Sequence, residues 1–189
     1  MNIQNAIQEG SQILKFYKCK TPLLDSEILM SKVIHKDRHF IILNPNTILK
    51  KNDFTIFKKL IKKRSGGKPI SYLIGRKSFW KNDFEVNSNV LIPRPDTELI
   101  IEEVLKLTKN RNKLRLLDIG VGSGCILLSI LNEKKNFYGI GIDISKKCVD
   151  LSKKNSFKLK LEKRVKFFKS NVDNFNYGKY DLIISNPPY

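Results

Sequence analysis

The sequence predicts an α/β protein in which an incomplete parallel β-sheet follows a small helical domain and a β-hairpin linker. The first observation behind this prediction is that the spacing of apolar residues changes along the chain. Apolar residues recur at helical spacing in the first third, whereas short apolar runs alternate with helical segments after residue 113. The second is that those runs have the length of buried parallel strands. Such alternation implies right-handed crossovers and a Rossmann-like sheet.

The sheet domain is predicted to cover residues 96–189. An amphipathic helix follows Asp96 and carries acidic residues near its positive end. The predicted strands are residues 114–119, 137–142, 165–168 and 180–185, and the clearer helices are residues 125–132 and 146–155.

The segment before the sheet is predicted to contain a helical domain, residues 1–68, and a linker, residues 69–95. Pro22 suits a first helical position, and Asn52 is a candidate N-cap. The predicted helices cover residues 3–17, 22–33, 38–43 and 53–64, the last stopped by Gly66-Gly67. In the linker, β-branched and aromatic residues broken by turn signals predict a β-hairpin over residues 70–86, and two prolines make residues 91–95 extended and stiff.

The net charge of +18 and the isoelectric point near 9.8 come from lysines dispersed over nearly every segment. Because electrostatic steering needs a patch and none is visible along the sequence, compositional drift is favoured over a nucleic-acid surface. Direct nucleic-acid binding and acidic partners both stay open. No apolar run reaches the roughly 18 residues of a membrane span, so a cytoplasmic protein without a membrane partner is expected. The protein is also expected to be a monomer.

The cysteines and histidines do not indicate a metal site. Cys19, Cys125 and Cys148 are odd in number and lack metal-ligand spacing, which favours a reducing compartment. His35 and His39 are expected to be surface or packing residues. No metal is therefore predicted.

A glycine-rich segment, Asp118-Ile-Gly-Val-Gly-Ser-Gly124, follows the first strand and opens the next helix. Alternate glycines let the backbone approach a ligand, and the helix N-terminus offers N–H groups to an anion. The segment departs from the dinucleotide fingerprint, because Cys125 stands where Gly or Ala is expected. Asp143 ends the second strand, where a carboxylate can accept hydrogen bonds from ribose hydroxyls. The alternative role for Asp143 is to cap the helix that begins after Ser145.

The tetrapeptide Asn186-Pro187-Pro188-Tyr189 follows the fourth strand, at the edge where open α/β sheets bind ligands. An asparagine amide combines an acceptor with a donor, and prolines leave carbonyls without competing N–H groups, which suits capture of a planar –NH2 group. A proline-terminated turn explains the tetrapeptide equally well.

Together the glycine segment, the strand-end acid and the tetrapeptide resemble class I S-adenosylmethionine-dependent methyltransferases that methylate planar amino groups. Adenine-N6 and guanine-N2 methyltransferases share the tetrapeptide. Three upstream stretches resemble the bacterial release factor glutamine methyltransferase family instead: residues 68–75 (Lys-Pro-Ile-Ser-Tyr-Leu-Ile-Gly), Phe79-Trp80, and residues 91–98 (Leu-Ile-Pro-Arg-Pro-Asp-Thr-Glu). This resemblance runs from about residue 20 to residue 189.

The resemblance implies that S-adenosylmethionine is the cofactor and that peptide chain release factors are the partners, methylated on the glutamine N5 of their Gly-Gly-Gln motif, with residues 1–68 recognising the substrate. It also implies the site. The cofactor is lined by Gly120, Val121, Gly122, Ser123, Gly124, Asp143, Val172 and Asn186, and the substrate amide is held by Asn186, Pro187, Pro188 and Tyr189, of which Asn186, Pro187 and Tyr189 are the catalytic set. Val121 replaces a usual Thr, and Val172 replaces a usual aromatic residue beside the adenine, which is expected to weaken cofactor affinity. Arg94 either helps place the substrate or is a surface arginine fixed between two prolines.

Sheets of this class continue for three more strands beyond the fourth. The chain is therefore expected to be incomplete, with residues 182–184 on an unprotected sheet edge, and to be a poor or inactive catalyst. Two alternatives stay open: a noncatalytic remnant that still binds a release factor, and a nucleic-acid amino-methyltransferase, which only the charge favours.

Overall fold

The computed structural model describes residues 1–187, and the chain divides into two compact units, Met1–Gly75 and Arg76–Tyr189. The division falls at Gly75, inside the segment predicted to be a linker. None of the described helices combines the length and hydropathy needed to cross a membrane.

The first unit is made of five helices. They are α1 (Ile3–Phe16), α2 (Pro22–Ile34), α3 (Arg38–Leu43), α4 (Lys51–Ser65) and α5 (Ile70–Ile74). Helices α1, α2 and α4 pack closely where α1 has Gly10, since a Cβ there would lie 2.7 Å from Ser26 Oγ and 2.9 Å from Phe57. A partly buried ion pair of 2.7 Å between Arg64 Nε and Asp25 Oδ2 joins α4 to α2. The predicted helical bundle is confirmed, including Pro22 at the start of α2.

Two local predictions for this unit are wrong. Asn52 lies inside α4, which begins one residue earlier with Lys50 as its N-cap. The stretch Ile70–Ile74, predicted as the first part of the hairpin, is helix α5. Its β-branched residues favour a strand locally, but Gly75 at φ +79° ends a helical turn and Leu73 packs into the bundle core, so tertiary packing overrides the local preference.

The hairpin that opens the second unit is shorter than predicted. Strands β1 (Arg76–Phe79) and β2 (Asn82–Glu85) pair antiparallel around a two-residue turn. Trp80 in this turn has φ +54°, a value that costs energy for a side chain other than glycine. Its backbone N–H donates to Glu98 Oε1 and its indole N–H to Glu133 Oε1, both at 2.7 Å, which holds the turn in place.

The main sheet is parallel and has four strands in the order β5-β4-β3-β6. The strands are β3 (Arg115–Ile119), β4 (Tyr138–Asp143), β5 (Val165–Lys169) and β6 (Leu182–Ser185), and the helices are α6 (Glu98–Leu107), α7 (Cys125–Glu133) and α8 (Lys146–Lys158). The predicted α/β class with a Rossmann-like sheet is confirmed. Among the described residues β6 pairs with β3 alone. The predicted edge position of residues 182–184 therefore holds there, although Ile184 is buried on one face while Ile183 is 58% exposed.

Two glycines in β4 let its neighbours approach closely. A Cβ at Gly139 would lie 2.7 Å from Leu127 of α7, and one at Gly141 would lie 2.7 Å from both Phe167 and Val121. Close packing of α7 and the glycine segment on β4 fixes the position of the loop at the carboxyl edge of the sheet.

Candidate functional site

The carboxyl ends of the four parallel strands, β3, β4, β5 and β6, surround one cleft of about 430 Å³. Five of the predicted site residues line it: Gly120, Gly122, Asp143, Val172 and Asn186. Parallel strands bring their carboxyl ends to the same edge, which explains why residues from three separate motifs meet there. Pro187 is exposed and is not among the lining residues, and Pro188 and Tyr189 lie outside the described residues.

The glycine segment turns with positive φ at Gly120, Gly122 and Gly124, at +75°, +55° and +81°. No atom lies within 4 Å of a Cβ built at Gly120, so the segment leaves open space on the cleft side. Gly124 has a different requirement, since a Cβ there would lie 3.0 Å from Leu128 and 3.1 Å from Ser152. Gly120 and Gly122 therefore shape the cleft, whereas Gly124 allows α7 to pack against α8.

Like Gly124, the other two predicted residues of this segment, Val121 and Ser123, are absent from the cleft lining. Val121 is buried against Gly141, and its N–H donates to Ile142 O at 2.9 Å. Ser123 is 3% exposed, and its carbonyl accepts from Asn155 Nδ2 at 2.8 Å. Both residues hold the segment in position. The valine at position 121 is explained by this core packing.

Asp143 ties the glycine segment to the start of α8. Its Oδ2 accepts from Gly122 N at 3.0 Å and its Oδ1 from Ser145 N at 2.8 Å. The N-cap of α8 is Ser145 itself, so Asp143 supports the helix entry without being the cap. Each carboxylate oxygen has a further lone pair, and Asp143 lines the cleft, so it can still accept from the hydroxyls of a ribose.

Asp118, the first residue of the glycine segment, is 1% exposed, and neither of its carboxylate oxygens has a hydrogen-bond partner among the described residues. Burial raises the pKa of Asp118 from 3.8 to about 7, and the negative charge of Asp143 acts in the same direction. The backbone N–H of Leu127 acts in the opposite direction and offsets part of this rise in pKa. A buried carboxyl group with a raised pKa beside the cleft is a candidate functional group. The sequence located Asp118 in the motif but gave no sign of its burial.

Asn186 is oriented by a residue from the stretch 91–98, one of the three upstream stretches that carry the family resemblance. Its Nδ2 donates to Thr97 Oγ1 at 3.4 Å across 89 positions of sequence. Because the amide nitrogen of Asn186 donates to Thr97, its Oδ1 can accept a hydrogen bond from a ligand in the cleft. Sequence analysis missed Thr97 as a site residue, because its proximity to Asn186 depends on the path from the 3-10 turn Pro95–Thr97 to the end of β6.

Apolar side chains supply the walls of the cleft. Ile144, which is 73% exposed, follows Asp143, and Val172, which is 47% exposed, stands among the lining residues from the segment after β5. Sequence analysis missed further lining residues: Asn89, Val90, Leu91, Ile119, Ile142, Ile144, Ser145, Cys148, Ser170 and Asn171. For Ile144 a signal existed, since an apolar residue directly after a strand-end acid at the ligand edge is a candidate to pack on a planar ring.

These residues fit an adenosine group joined to a charged chain. Apolar walls accept a planar ring, Asp143 accepts from hydroxyls, and the side-chain-free surface at Gly120 leaves room for close approach. The residues that would hold S-adenosylmethionine are therefore Gly120, Gly122, Asp143, Ile144 and Val172.

Comparison with known proteins places both parts of the chain. Residues 5–75 match the family model described as the PrmC N-terminal domain, and residues 95–189 match the methyltransferase small domain. A release factor glutamine methyltransferase of Buchnera aphidicola subsp. Schizaphis graminum is 39% identical, with 100% of this chain covering 67% of that protein. A release factor glutamine methyltransferase of Buchnera aphidicola subsp. Baizongia pistaciae is 40% identical, and the match covers 100% of this chain and 68% of that protein. A bifunctional methyltransferase of Rickettsia bellii is 32% identical, with 100% and 39% covered.

Among solved structures, YjhP of E. coli matches with a TM-score of 0.43 and 25% identity, over 49% of this chain and 38% of that one. A methyltransferase of Geobacter sulfurreducens in complex with S-adenosyl-L-homocysteine matches with a TM-score of 0.42 and 22% identity, over 49% and 36%.

The two Buchnera relatives and the two family models together cover the described chain, which spans about two thirds of the length of those relatives. Proteins with the methyltransferase small domain use S-adenosylmethionine as their methyl donor. The chain belongs to the release factor glutamine methyltransferase family.

Proposed function

We propose that this protein methylates the side-chain amide nitrogen of the glutamine in the Gly-Gly-Gln motif of peptide chain release factors, in the cytoplasm, as part of translation termination. The observation that carries the proposal is the position of Asn186. Its amide lines the same cleft as Gly120, Gly122 and Asp143, and Thr97 holds it with the carbonyl oxygen available as an acceptor.

The substrate chemistry fits an orienting site. The lone pair of an amide nitrogen is delocalised into its carbonyl, so the nitrogen is a weak nucleophile that gains most from alignment. S-adenosylmethionine supplies, when bound, an electrophilic methyl group on a sulfonium. Asn186 Oδ1 accepts from one N–H of the substrate amide, and the Pro187 carbonyl is proposed to accept from the other. Positioning of this kind supplies up to about 7–11 kcal/mol of barrier reduction.

The remaining roles belong to the same proposal, and those of Pro188 and Tyr189 rest on the family resemblance alone. Asp143 accepts from the ribose hydroxyls while its bonds to Gly122 N and Ser145 N keep the carboxylate in place. Pro188 and Tyr189 are proposed to contact the substrate amide plane. The N–C bond forms as the methyl–sulfur bond breaks, the sulfur retains that electron pair, and the amide nitrogen then loses its proton to water.

The proposal is tested by mass spectrometry of the Gly-Gly-Gln peptide from a purified release factor after incubation with this protein and S-adenosylmethionine. Two forms are assayed: the 189-residue chain, and the same chain extended at its C-terminus with the corresponding segment of one Buchnera relative. A mass increase of one methyl group on glutamine is expected with the extended form at least. Adenine-containing DNA and structured RNA are incubated in parallel.

Three results contradict the proposal. Methylation of either nucleic acid without the release factor would assign the substrate to the amino-methyltransferases instead. Cofactor binding and release-factor binding with no methyl transfer by either form would favour a noncatalytic remnant. Methylation at a residue other than the motif glutamine would refute the proposed acceptor while leaving the enzyme class in place.

A further inference from the structure

A second cavity, of about 520 Å³, lies at the opposite edge of the parallel sheet. Its lining includes the first residues of three strands, Arg115 of β3, Tyr138 of β4 and Val165 of β5. The cofactor cleft lies at the other ends of these strands, about 15 Å away along strands of five or six residues. We propose that this cavity, which we call the amino-edge cavity, is a separate binding site for a nucleotide, either free or within single-stranded RNA.

The charge of the amino-edge cavity favours an anionic ligand. Its lining contains five cationic side chains and two acidic ones; the cations are Lys113, Arg115, Lys163, Arg164 and Lys166. Of the acids, Asp181 accepts from the backbone N–H of Arg115 at 2.7 Å, and Glu162 is exposed. Within residues 1–187 no carboxylate forms an ion pair with Lys113, Arg115, Lys163 or Lys166.

Arg164 is not one of the available cations. Its guanidinium donates to the carbonyls of Leu131, Lys134 and Phe137 at 2.7, 3.0 and 3.2 Å. These bonds satisfy backbone carbonyls in the last turn of α7 and in the residues that follow it, so Arg164 forms part of the cavity wall. The recognition of phosphate falls to Arg115 and the lysines.

Arg115 is held in one place by aromatic rings. Its guanidinium carbon lies 5.1 Å from the ring centroid of Tyr180 and 5.6 Å from that of Tyr177. The turn beside the guanidinium has Gly178 at φ +87°, a conformation that favours glycine, and a Cβ there would lie 2.7 Å from Arg115 Nη1. A guanidinium immobilised in this way is prepared for phosphate recognition at a low entropic cost.

An exposed tyrosine ring at the cavity accounts for the choice of a nucleotide over another anion. Tyr138 is 45% exposed and lines the cavity, with Lys113 Nζ 5.7 Å from its ring centroid. Tyr177 also lines the cavity, but its ring already contacts Arg115, Phe168 and Phe175. Aromatic rings beside cations are the arrangement that binds single-stranded nucleic acids, with bases stacked on the rings and phosphates near the cations. Dispersed lysine alone would not produce this combination of rings, a fixed guanidinium and a concave surface.

The test measures fluorescence anisotropy of a labelled single-stranded oligoribonucleotide with the 189-residue chain, and competition by AMP. The double variant Lys163→Glu with Lys166→Glu reverses two exposed cavity charges. The double variant Lys59→Glu with Lys63→Glu makes the same charge change on the exposed surface of α4 in the other unit. We expect the cavity variant to lose at least tenfold in affinity with a salt slope lower by about one, and the α4 variant to stay within twofold of wild type.

Tyr138→Ala tests the stacking component, and Tyr138→Phe is its conservative control. Affinity should fall about tenfold for alanine and stay near wild type for phenylalanine. Competition by AMP would identify a free nucleotide as a ligand, and binding of the oligoribonucleotide without competition would identify RNA. Circular dichroism confirms that each variant is folded.

Several results would overturn the proposal. Equal losses in the two charge-reversed variants would show attraction by overall charge. Displacement of the oligoribonucleotide by polyglutamate at matched charge would show that the cavity binds any polyanion and does not require the bases of a nucleotide. Unchanged affinity of Tyr138→Ala would remove the evidence for base stacking. None of these measurements involves methyl transfer, so their outcome is independent of the function proposed above.

Discussion

The two edges of the parallel sheet differ in how their residues are distributed along the sequence. The carboxyl edge is built from short motifs: a glycine segment, an acid at a strand end and an asparagine after the last strand. The amino edge combines residues from five separate stretches, 113–115, 138–140, 162–166, 177 and 181, with no motif among them. Chemistry that needs a fixed backbone shape leaves a local pattern in sequence, whereas a charged and aromatic surface appears only when the strands are brought side by side.

The largest effect that separates the two edges is expected from Asn186→Ala. The variant loses the acceptor that aligns the substrate amide, so methyl transfer by the extended chain should fall by about a hundredfold, as for other single orienting groups in active sites. Cofactor affinity should stay within about threefold, because Asn186 is proposed to orient the substrate amide and is not among the residues that would hold the adenosine group. Single-turnover rates and calorimetric titration measure the two quantities.

The matched control is Asn176→Ala, which removes an exposed asparagine side chain elsewhere in the same unit. It should leave both quantities unchanged. A near-normal transfer rate for Asn186→Ala would show that another group orients the amide.

Much of the carboxyl edge could be predicted because each motif has its own backbone requirement. Gly120 and Gly122 need positive φ, and Asp143 is placed by the end of a strand. Sequence could not predict that Val121 faces the core, since this depends on its packing against Gly141 of another strand. Nor could it reveal the bond from Asn186 to Thr97. Helix α5 was missed for the same reason, because its assignment depended on packing.

Asp143→Ala is expected to produce the next largest effect. It removes an acceptor for the ribose hydroxyls together with the bonds from Gly122 N and Ser145 N, and charge-assisted bonds contribute about 1.5–3 kcal/mol each. S-adenosylmethionine should bind at least tenfold more weakly in calorimetric titration, while oligoribonucleotide binding at the amino edge stays within twofold.

Asp150→Ala is the matched control for this change. Asp150 is an exposed carboxylate on α8 that pairs with Lys146 at 2.8 Å, and its loss should not change cofactor affinity. Equal cofactor affinity in wild type and Asp143→Ala would rule out the proposed role of Asp143.

Asp118 gives the carboxyl edge a pH response. Its pKa is raised by burial from 3.8 to about 7, so between these values the folded protein binds a proton that the unfolded chain releases. The stability contributed by protonated Asp118 is present at low pH and is lost as the pH rises towards 7. In urea unfolding of the protein without cofactor, Asp118→Asn should reduce the loss of stability between about pH 5 and about pH 8 by about 1 kcal/mol or more.

Asp173→Asn is the control for Asp118, because Asp173 is exposed in the segment after β5. This variant should follow the wild-type pH profile. An identical profile for Asp118→Asn would mean that Asp118 has the same proton affinity in the folded and unfolded states, and its burial would then need another explanation.

The smallest effect is expected from Thr97, which acts on the substrate only through Asn186. Thr97→Val keeps the shape of the side chain but removes the hydroxyl at the end of a 3.4 Å contact, a bond near the upper limit of useful length. The single-turnover rate of the extended chain should fall by about three- to tenfold, as expected for one hydrogen bond of about 1 kcal/mol, and Thr97→Ser should restore it. Cofactor affinity and oligoribonucleotide binding should both stay at wild-type values. If Thr97→Val instead lowers cofactor affinity as much as Asp143→Ala does, Thr97 contacts the cofactor directly. The separate roles proposed for Asn186 in substrate orientation and for Asp143 in cofactor binding would then be wrong.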